Sequence, residues 1–276
     1  MEGFQGYRDP SRIYEYVGLC FGCGVQSTTL LLLIHYRPEL LRDTVGQLPN
    51  KAYFADTQAE TKATYNHLEF LQSAGYFGDH FPLEIIPADI FQQWEKAPYF
   101  TSLGGEKGML KRQCTNDLKI QPVKKAMRRD AKTTAPYSVG QWMGLSTDEL
   151  GRMKDSHRKY IEHIYPLIEL GWSRQDCYQF LEQCGFVDVP KSACYFCPFR
   201  SNWREFAKKH PEEAEKACQF DEGLRNAQTF GTQGIEGELY LHQSLRPLRE
   251  VLASEEAQGD LFDDDFAEEC DGVCGL

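Results

Sequence analysis

An apolar run from Tyr14 to Phe21 breaks at Gly22-Cys23-Gly24 and resumes at once as a helical pattern from Val25 to Tyr36. An uninterrupted apolar strand must be buried on both faces, and a helix that starts directly after it must pack back over its sheet. That opening restricts the chain to folds built on parallel strands with helical crossovers. The pattern then repeats. Ala52 to Ala55 reads as a second strand, Thr61 to Ala74 as a helix with Tyr65, Leu68 and Leu71 on one side, and Leu83 to Ile86 as a third strand. After an irregular, Gly- and Lys-rich stretch from Ser102 to Lys111, a helix from Gln121 to Asp130 leads to a strand around Ser138 to Leu145. The expected architecture is an α/β fold with a doubly wound, mostly parallel sheet covered on both faces.

A further amphipathic helix is expected from Ser173 to Cys184, and Trp203 to Arg225 is largely helical and charged. The division predicted is a main domain over 1–200 and a helical extension over 201–276. The last stretch, Ala253 to Leu276, carries Asp263, Asp264 and Asp265 in a row and is expected to be a mobile acidic tail. With 276 residues, the chain can bury one sizeable core plus a smaller appendage. It holds no run approaching the ~18 apolar residues of a membrane span, and Met1 to Pro10 does not look like an export signal. A soluble, cytoplasmic protein with no membrane partner is expected. The ten cysteines are then reduced thiols, suited to metal binding or thiol chemistry rather than disulfides. A net charge of −11 argues against a broad, non-specific grip on nucleic acid, although it leaves room for a local basic patch.

Open parallel sheets place ligands beyond the carboxyl ends of their strands, and a helix N-terminus there offers free N–H groups to an anion. Phe21-Gly22-Cys23-Gly24-Val25-Gln26-Ser27-Thr28 occupies such a place. The glycines allow close backbone approach, while Ser27, Thr28 and Thr29 can add hydroxyl donors. An ordinary Gly-rich strand-to-helix turn would look the same, so this segment alone leaves both readings open.

The loop resembles that of the PP-loop ATP pyrophosphatase superfamily, most closely its PAPS-reductase-like branch. The family loop Ser-Gly-Gly-x-Asp-Ser is met here by Gly22-Cys23-Gly24-Val25-Gln26-Ser27, with Gly22 for serine, Cys23 for glycine and Gln26 for aspartate. Phe54-Ala55-Asp56-Thr57-Gln58-Ala59-Glu60-Thr61 is similar to the family's second-strand segment, near the adenosine and substrate side of the cleft. The resemblance implies an adenine nucleotide, ATP or a sulfonucleotide (APS or PAPS), with magnesium as a candidate companion. It also implies a role for Asp56, which by itself reads equally as a helix cap.

Two cysteine segments extend the likeness. Lys111-Arg112-Gln113-Cys114-Thr115-Asn116-Asp117-Leu118-Lys119 is similar to the segment that bears a Cys-Cys pair in iron-sulfur APS reductases, with Gln113 in place of the first cysteine. Ser192-Ala193-Cys194-Tyr195-Phe196-Cys197-Pro198 supplies a Cys-x-x-Cys followed by proline. Cys114, Cys194 and Cys197 would suit a 4Fe-4S cluster with one open iron, and a zinc site completed by a further ligand is the alternative. Cluster-containing tRNA thiolation enzymes of the superfamily hold sulfide on such an iron, so the resemblance implies sulfur transfer. Cys20, Cys177, Cys184 and Cys218 lie in apolar patterns and are assigned to packing. Cys23, inside the nucleotide loop, is a candidate thiol, a candidate fourth ligand, or a tolerated small residue.

Gly144-Leu145-Ser146-Thr147-Asp148-Glu149 resembles the Gly-x-Arg-x-x-Glu segment of sulfonucleotide reductases, with Ser146 for the anion-binding arginine. Lys111, Lys119 and Arg152 remain candidates for phosphate contacts. The ending Glu269-Cys270-Asp271-Gly272-Val273-Cys274-Gly275-Leu276 is similar to the reductases' nucleophile-bearing tail, which makes Cys274 a candidate nucleophile; a tail with no specific role is the plain alternative. The expectation is a PAPS-reductase-like enzyme that activates an acceptor with ATP and delivers sulfur to a nucleic acid or small molecule. A sulfur-donor protein or thiol reductant would be its partner. The alternatives are reduction of APS or PAPS to sulfite, and a non-catalytic nucleotide-binding subunit of a modification or defence complex.

Overall fold

The computed structural model describes residues 8–9, 11–103, 106–226 and 237–254. Elements run β1 (Tyr16–Cys20), α1 (Val25–Tyr36), α2 (Pro38–Val45), β2 (Lys51–Asp56), α3 (Lys62–Ser73), β3 (Leu83–Pro87), β4 (Phe100–Leu103), β5 (Glu106–Met109), α4 (Gln121–Ala131), β6 (Val139–Trp142) and β7 (Ile161–Ile164). After them come α5 (Pro166–Glu169), α6 (Arg174–Gln183), α7 (Trp203–Lys209), α8 (Pro211–Leu224), β8 (Leu239–Tyr240) and α9 (Leu248–Ala253). Five strands form a sheet in the order β3-β2-β1-β6-β7, with every pairing parallel. The chain winds outward from β1 through β2 to β3, then crosses back to β6 on the other side of β1. The doubly wound parallel sheet expected from the sequence is present, and its topological switch point lies between β1 and β6.

Alternation along the strands divides the core. Val17, Leu19, Phe54, Trp142 and Ile164 face one way, toward Leu30 to Leu33 of α1 and Phe180 and Leu181 of α6. Cys20, Tyr53, Val139 and Ile161 face the other, toward Val123 and Met127 of α4. Gly18 permits that second contact: a Cβ there would meet Met127 Cε at 2.7 Å and Tyr53 Cε2 at 2.9 Å. At the start of α6, Ser173 Oγ accepts from Asp176 N–H at 3.2 Å while Asp176 Oδ2 accepts from Ser173 N–H at 2.8 Å. Ser173→Ala should therefore lower stability by about 1 kcal/mol, read as a smaller denaturation midpoint at unchanged slope.

The segment from Ser102 to Lys111 is not irregular throughout. It contributes to the antiparallel hairpin β4–β5, and β8 completes a three-stranded sheet in the order β5-β4-β8. The pairing partner, β8, is remote in sequence, so local patterning could not reveal it. The C-terminal region is helical, and its helices close over this small sheet in a second core that includes Tyr99, Leu118, Phe196, Trp203, Phe220 and Leu248. That core draws residues from both sides of position 200. Within Trp203 to Arg225 the helix breaks at His210, where Pro211 starts α8. No helix among the described residues is long and apolar enough to cross a membrane.

Candidate functional site

Beyond the carboxyl end of β1, Cys23 takes a left-handed φ of 60° and Gly24 caps α1 in extended conformation. Ser27 Oγ accepts from Gly24 N–H at 3.1 Å and donates back to Gly24 O at 3.1 Å, which ties the loop into a compact turn. Gly22, Gly24, Gln26, Ser27 and Thr28 are all buried. The threonine hydroxyls turn away from the loop: Thr28 Oγ1 bonds His67 Nε2 at 3.1 Å, and Thr29 Oγ1 donates to Val25 O at 2.9 Å. The fourth and fifth positions of α1 thus have their hydroxyls engaged with α3 and with their own helix. Burial keeps His67 neutral, with its pKa lowered to about 4.

The loop is hemmed in from two sides. On the β6 side, a Cβ at Gly144 would lie 3.2 Å from Ser27 N. Opposite, a Cβ at Gly24 would lie 3.7 Å from both Ser192 N and Ser192 Cβ, and 4.0 Å from Pro190 O. The cysteine loop therefore rests on the Gly24 loop, at the same end of the sheet.

Two buried carboxylates, neither of them singled out from the sequence, organise this end. Glu149 accepts from Gln26 Nε2 at 2.9 Å, pairs with Arg152, and lies 3.6 Å from Arg174 NH2. Glu60 accepts from Lys119 Nζ at 2.9 Å and from Ser192 Oγ at 3.1 Å. Both cations picked out as phosphate contacts, Lys119 and Arg152, are thus already held in ion pairs. Lys111 is exposed. Glu60 was detectable in principle as an acid four positions beyond the end of β2. Glu149 stood in the quoted segment, but its role depends on Gln26, which is far away in sequence.

Asp56 Oδ1 accepts from Gln58 N–H at 2.8 Å and from the Tyr65 hydroxyl at 2.7 Å, so it shapes the turn after β2. Burial, and then this carboxylate, hold the Tyr65 phenol well above its usual pKa. Cys23 is fully buried, with its thiol 3.6 Å from Thr64 O. Burial first, and the Glu60 charge second, push its pKa up, so that it stays a thiol at neutral pH.

The turn at Cys194 is stitched to the end of β2. Tyr195 N–H donates to Ala59 O at 2.8 Å, and Cys194 Sγ lies 3.5 Å from Thr57 Oγ1. Between the two cysteines, Phe196 stacks on Phe220 with ring centroids 4.2 Å apart, which anchors the turn in the second core. Cys114 and Cys194 both pack against that core; burial raises the Tyr99 pKa, and the charges of these two thiolates would act in the same direction. Cys197 N–H donates to Cys194 O at 3.1 Å, and Cys197 lines a groove of about 720 Å³ with Thr61, Lys191, Arg200, Asn202 and His210. Among the described residues, no group of three or more His, Cys, Asp or Glu side chains is arranged to hold a metal ion. The 4Fe-4S or zinc site expected at Cys114, Cys194 and Cys197 is therefore not supported.

The fold is similar to that of phosphoadenylyl-sulfate (PAPS) reductase from Candida auris in its phosphate complex, with a TM-score of 0.40 and 14% identity over 63% of this chain and 73% of that one. No family model and no curated protein matches the sequence. Cys20, Cys177 and Cys218 are buried, and Cys184 packs against the edge of the first core, in keeping with packing roles. Cys274, the candidate tail nucleophile, lies outside the described residues.

Proposed function

We propose that this chain is a PAPS-reductase-like enzyme that binds an adenine nucleotide at the loop around Gly24 and uses ATP to drive sulfur transfer to an acceptor on a nucleic acid or small molecule. The observation that carries this reading is the seating of the Cys194 turn on the nucleotide loop, with Ser192 against Gly24 and the Cys194 thiol beside Thr57. An acceptor oxygen activated at the loop would then have a thiol for a neighbour. In the first step that oxygen attacks the α-phosphorus of ATP, and pyrophosphate leaves. Next, the terminal sulfur of a persulfide on Cys194, charged by a sulfur-donor protein, attacks the activated carbon and AMP departs. A second thiol then attacks the remaining S–S bond, releasing the thiolated product and leaving a disulfide for an external thiol to reduce. Cys114, packed against the same core, is assigned that resolving role.

One observation favours reduction of APS or PAPS instead. The first turn of α1 carries no acid, and Glu149 is engaged by Gln26, Arg152 and Arg174. A carboxylate so engaged is a poor ligand for a magnesium ion bridging the phosphates of ATP. In that reading Cys274 attacks the sulfonucleotide sulfur, AMP or its 3′-phosphate leaves, and a thiol reductant releases sulfite.

Incubation with labelled ATP, APS and PAPS decides between them. Pyrophosphate release that depends on an acceptor supports sulfur transfer, sulfite release supports reduction, and neither would remove the enzymatic reading. Binding by calorimetry should weaken at least tenfold in Ser27→Tyr, whose bulk cannot fit where Ser27 closes the turn on Gly24. Equal affinity in that variant would place the nucleotide elsewhere.

A further inference from the structure

Both sides of the Gly24 loop are covered by protein, and the two covers differ in kind. Gly144 follows β6 in the centre of the sheet, where parallel pairing on both sides fixes it. Ser192 belongs to the long connection between α6 and α7, which forms no helix or strand apart from the single bridge at Cys194. Its neighbours are held to the end of β2 and to Arg200, whose NH2 donates to Cys194 O at 3.2 Å. Ser192 Oγ donates to Glu60 Oε2 at 3.1 Å, and the backbones of Glu60 and Cys194 are bridged. Glu60 itself has a side chain 1% exposed and is neutralised by Lys119.

We propose that the strap at residues 190–194 and an incoming nucleotide phosphate compete for the Gly24 loop, with Glu60 as the catch, so that nucleotide occupancy frees the Cys194 thiol for reaction. The inference rests on the nucleotide reading above and adds to it a coupling between the two halves of the site. Ser192 N and Cβ lie in ordinary contact with the position of a Cβ at Gly24, so a phosphate approaching Gly24 from that side would have to displace Ser192 and would face the carbonyl of Pro190, whose lone pairs repel it. It would also bring negative charge toward Glu60, whose partner Lys119 is then drawn to two anions at once. Both effects weaken the catch. Because Cys194 shares the bridge to Glu60, release of Ser192 loosens the turn that holds its thiol against Thr57. Sulfur would be exposed only when an activated acceptor can be made, which limits its loss to stray electrophiles.

Linkage makes the coupling reciprocal: whatever weakens the strap must tighten the nucleotide by the same factor. Ser192→Ala removes the bond to Glu60 and leaves the Glu60–Lys119 pair in place. It should bind ATP or PAPS about tenfold more tightly, the factor that one hydrogen bond to a charged group can supply. The test uses the full chain, with nucleotide affinity from calorimetry and the alkylation rate of each cysteine from mass spectrometry after iodoacetamide pulses. In the wild type, saturating nucleotide should speed alkylation of Cys194 several-fold, while Cys177, buried in the first core, stays constant. In Ser192→Ala, Cys194 should already react faster without nucleotide. Nucleotide binding that leaves Cys194 alkylation unchanged or slower overturns the coupling and spares the nucleotide reading. No nucleotide binding by the wild type overturns both.

Discussion

Replacing Asp221 with alanine is expected to cost about 3–5 kcal/mol of folding stability. Its carboxylate is fully buried on α8 and gathers three donors: Leu241 N–H at 2.8 Å, Leu248 N–H at 2.8 Å and Arg225 NH2 at 2.7 Å. Those bonds fasten the chain after β8 and the start of α9 to α8, closing the second core. Alanine would leave two buried N–H groups and a mostly buried guanidinium without their acceptor, and such removal costs far more than the net value of the bonds. Denaturant unfolding measures the loss, and a shift below ~1 kcal/mol would mean that Asp221 does not hold this unit together. Phe196 sits in the same core against Phe220, so a loosened core should also misplace the Cys194 turn.

Acidification from pH 7 to pH 4.5 is expected to remove about 2–3 kcal/mol through His163 alone. The imidazole is buried on β7, its Nδ1–H donating to Lys154 O at 2.7 Å. Burial, followed by the neighbouring Lys124 ammonium, lowers its pKa from 6.5 to about 4. The folded protein therefore refuses a proton that the unfolded chain accepts. Above about pH 6.5 both states are neutral at this position and nothing is lost. Between 6.5 and 4 the unfolded state is favoured increasingly, and below 4 the penalty levels off. His67, also held near 4 by burial, acts in the same direction. In His163→Gln, stability plotted against pH should consequently flatten over this interval without becoming level. An identical slope in the variant would show that His163 is not the group responsible.

The sequence by itself determined the sheet. The apolar run through β1, the glycines after it and the helical period of α1 are local signals, because burial on both faces and a strand-to-helix turn each impose a short-range pattern. The same holds for β2, α3, β3, α4 and α6, whose residues repeat with the period of their own element. Signals of this kind located the loop at Gly24 and the thiols at Cys114, Cys194 and Cys197. Only the tertiary structure decided what surrounds those residues. The hydroxyl of Thr28 meets His67, which α3 brings to it from 39 positions away. Lys119 looked like a phosphate contact until the fold brought Glu60 to it from 59 positions away, whereas the partner of Arg152, Glu149, lies only three residues before it. The Cys-x-x-Cys spacing matched a metal site, yet among the described residues no group of three or more His, Cys, Asp or Glu side chains is arranged to hold a metal ion. A charge or thiol is tuned by whatever lies within a few ångströms, and in a fold with this many long-range contacts those neighbours come from elsewhere in the sequence, where no local period records them.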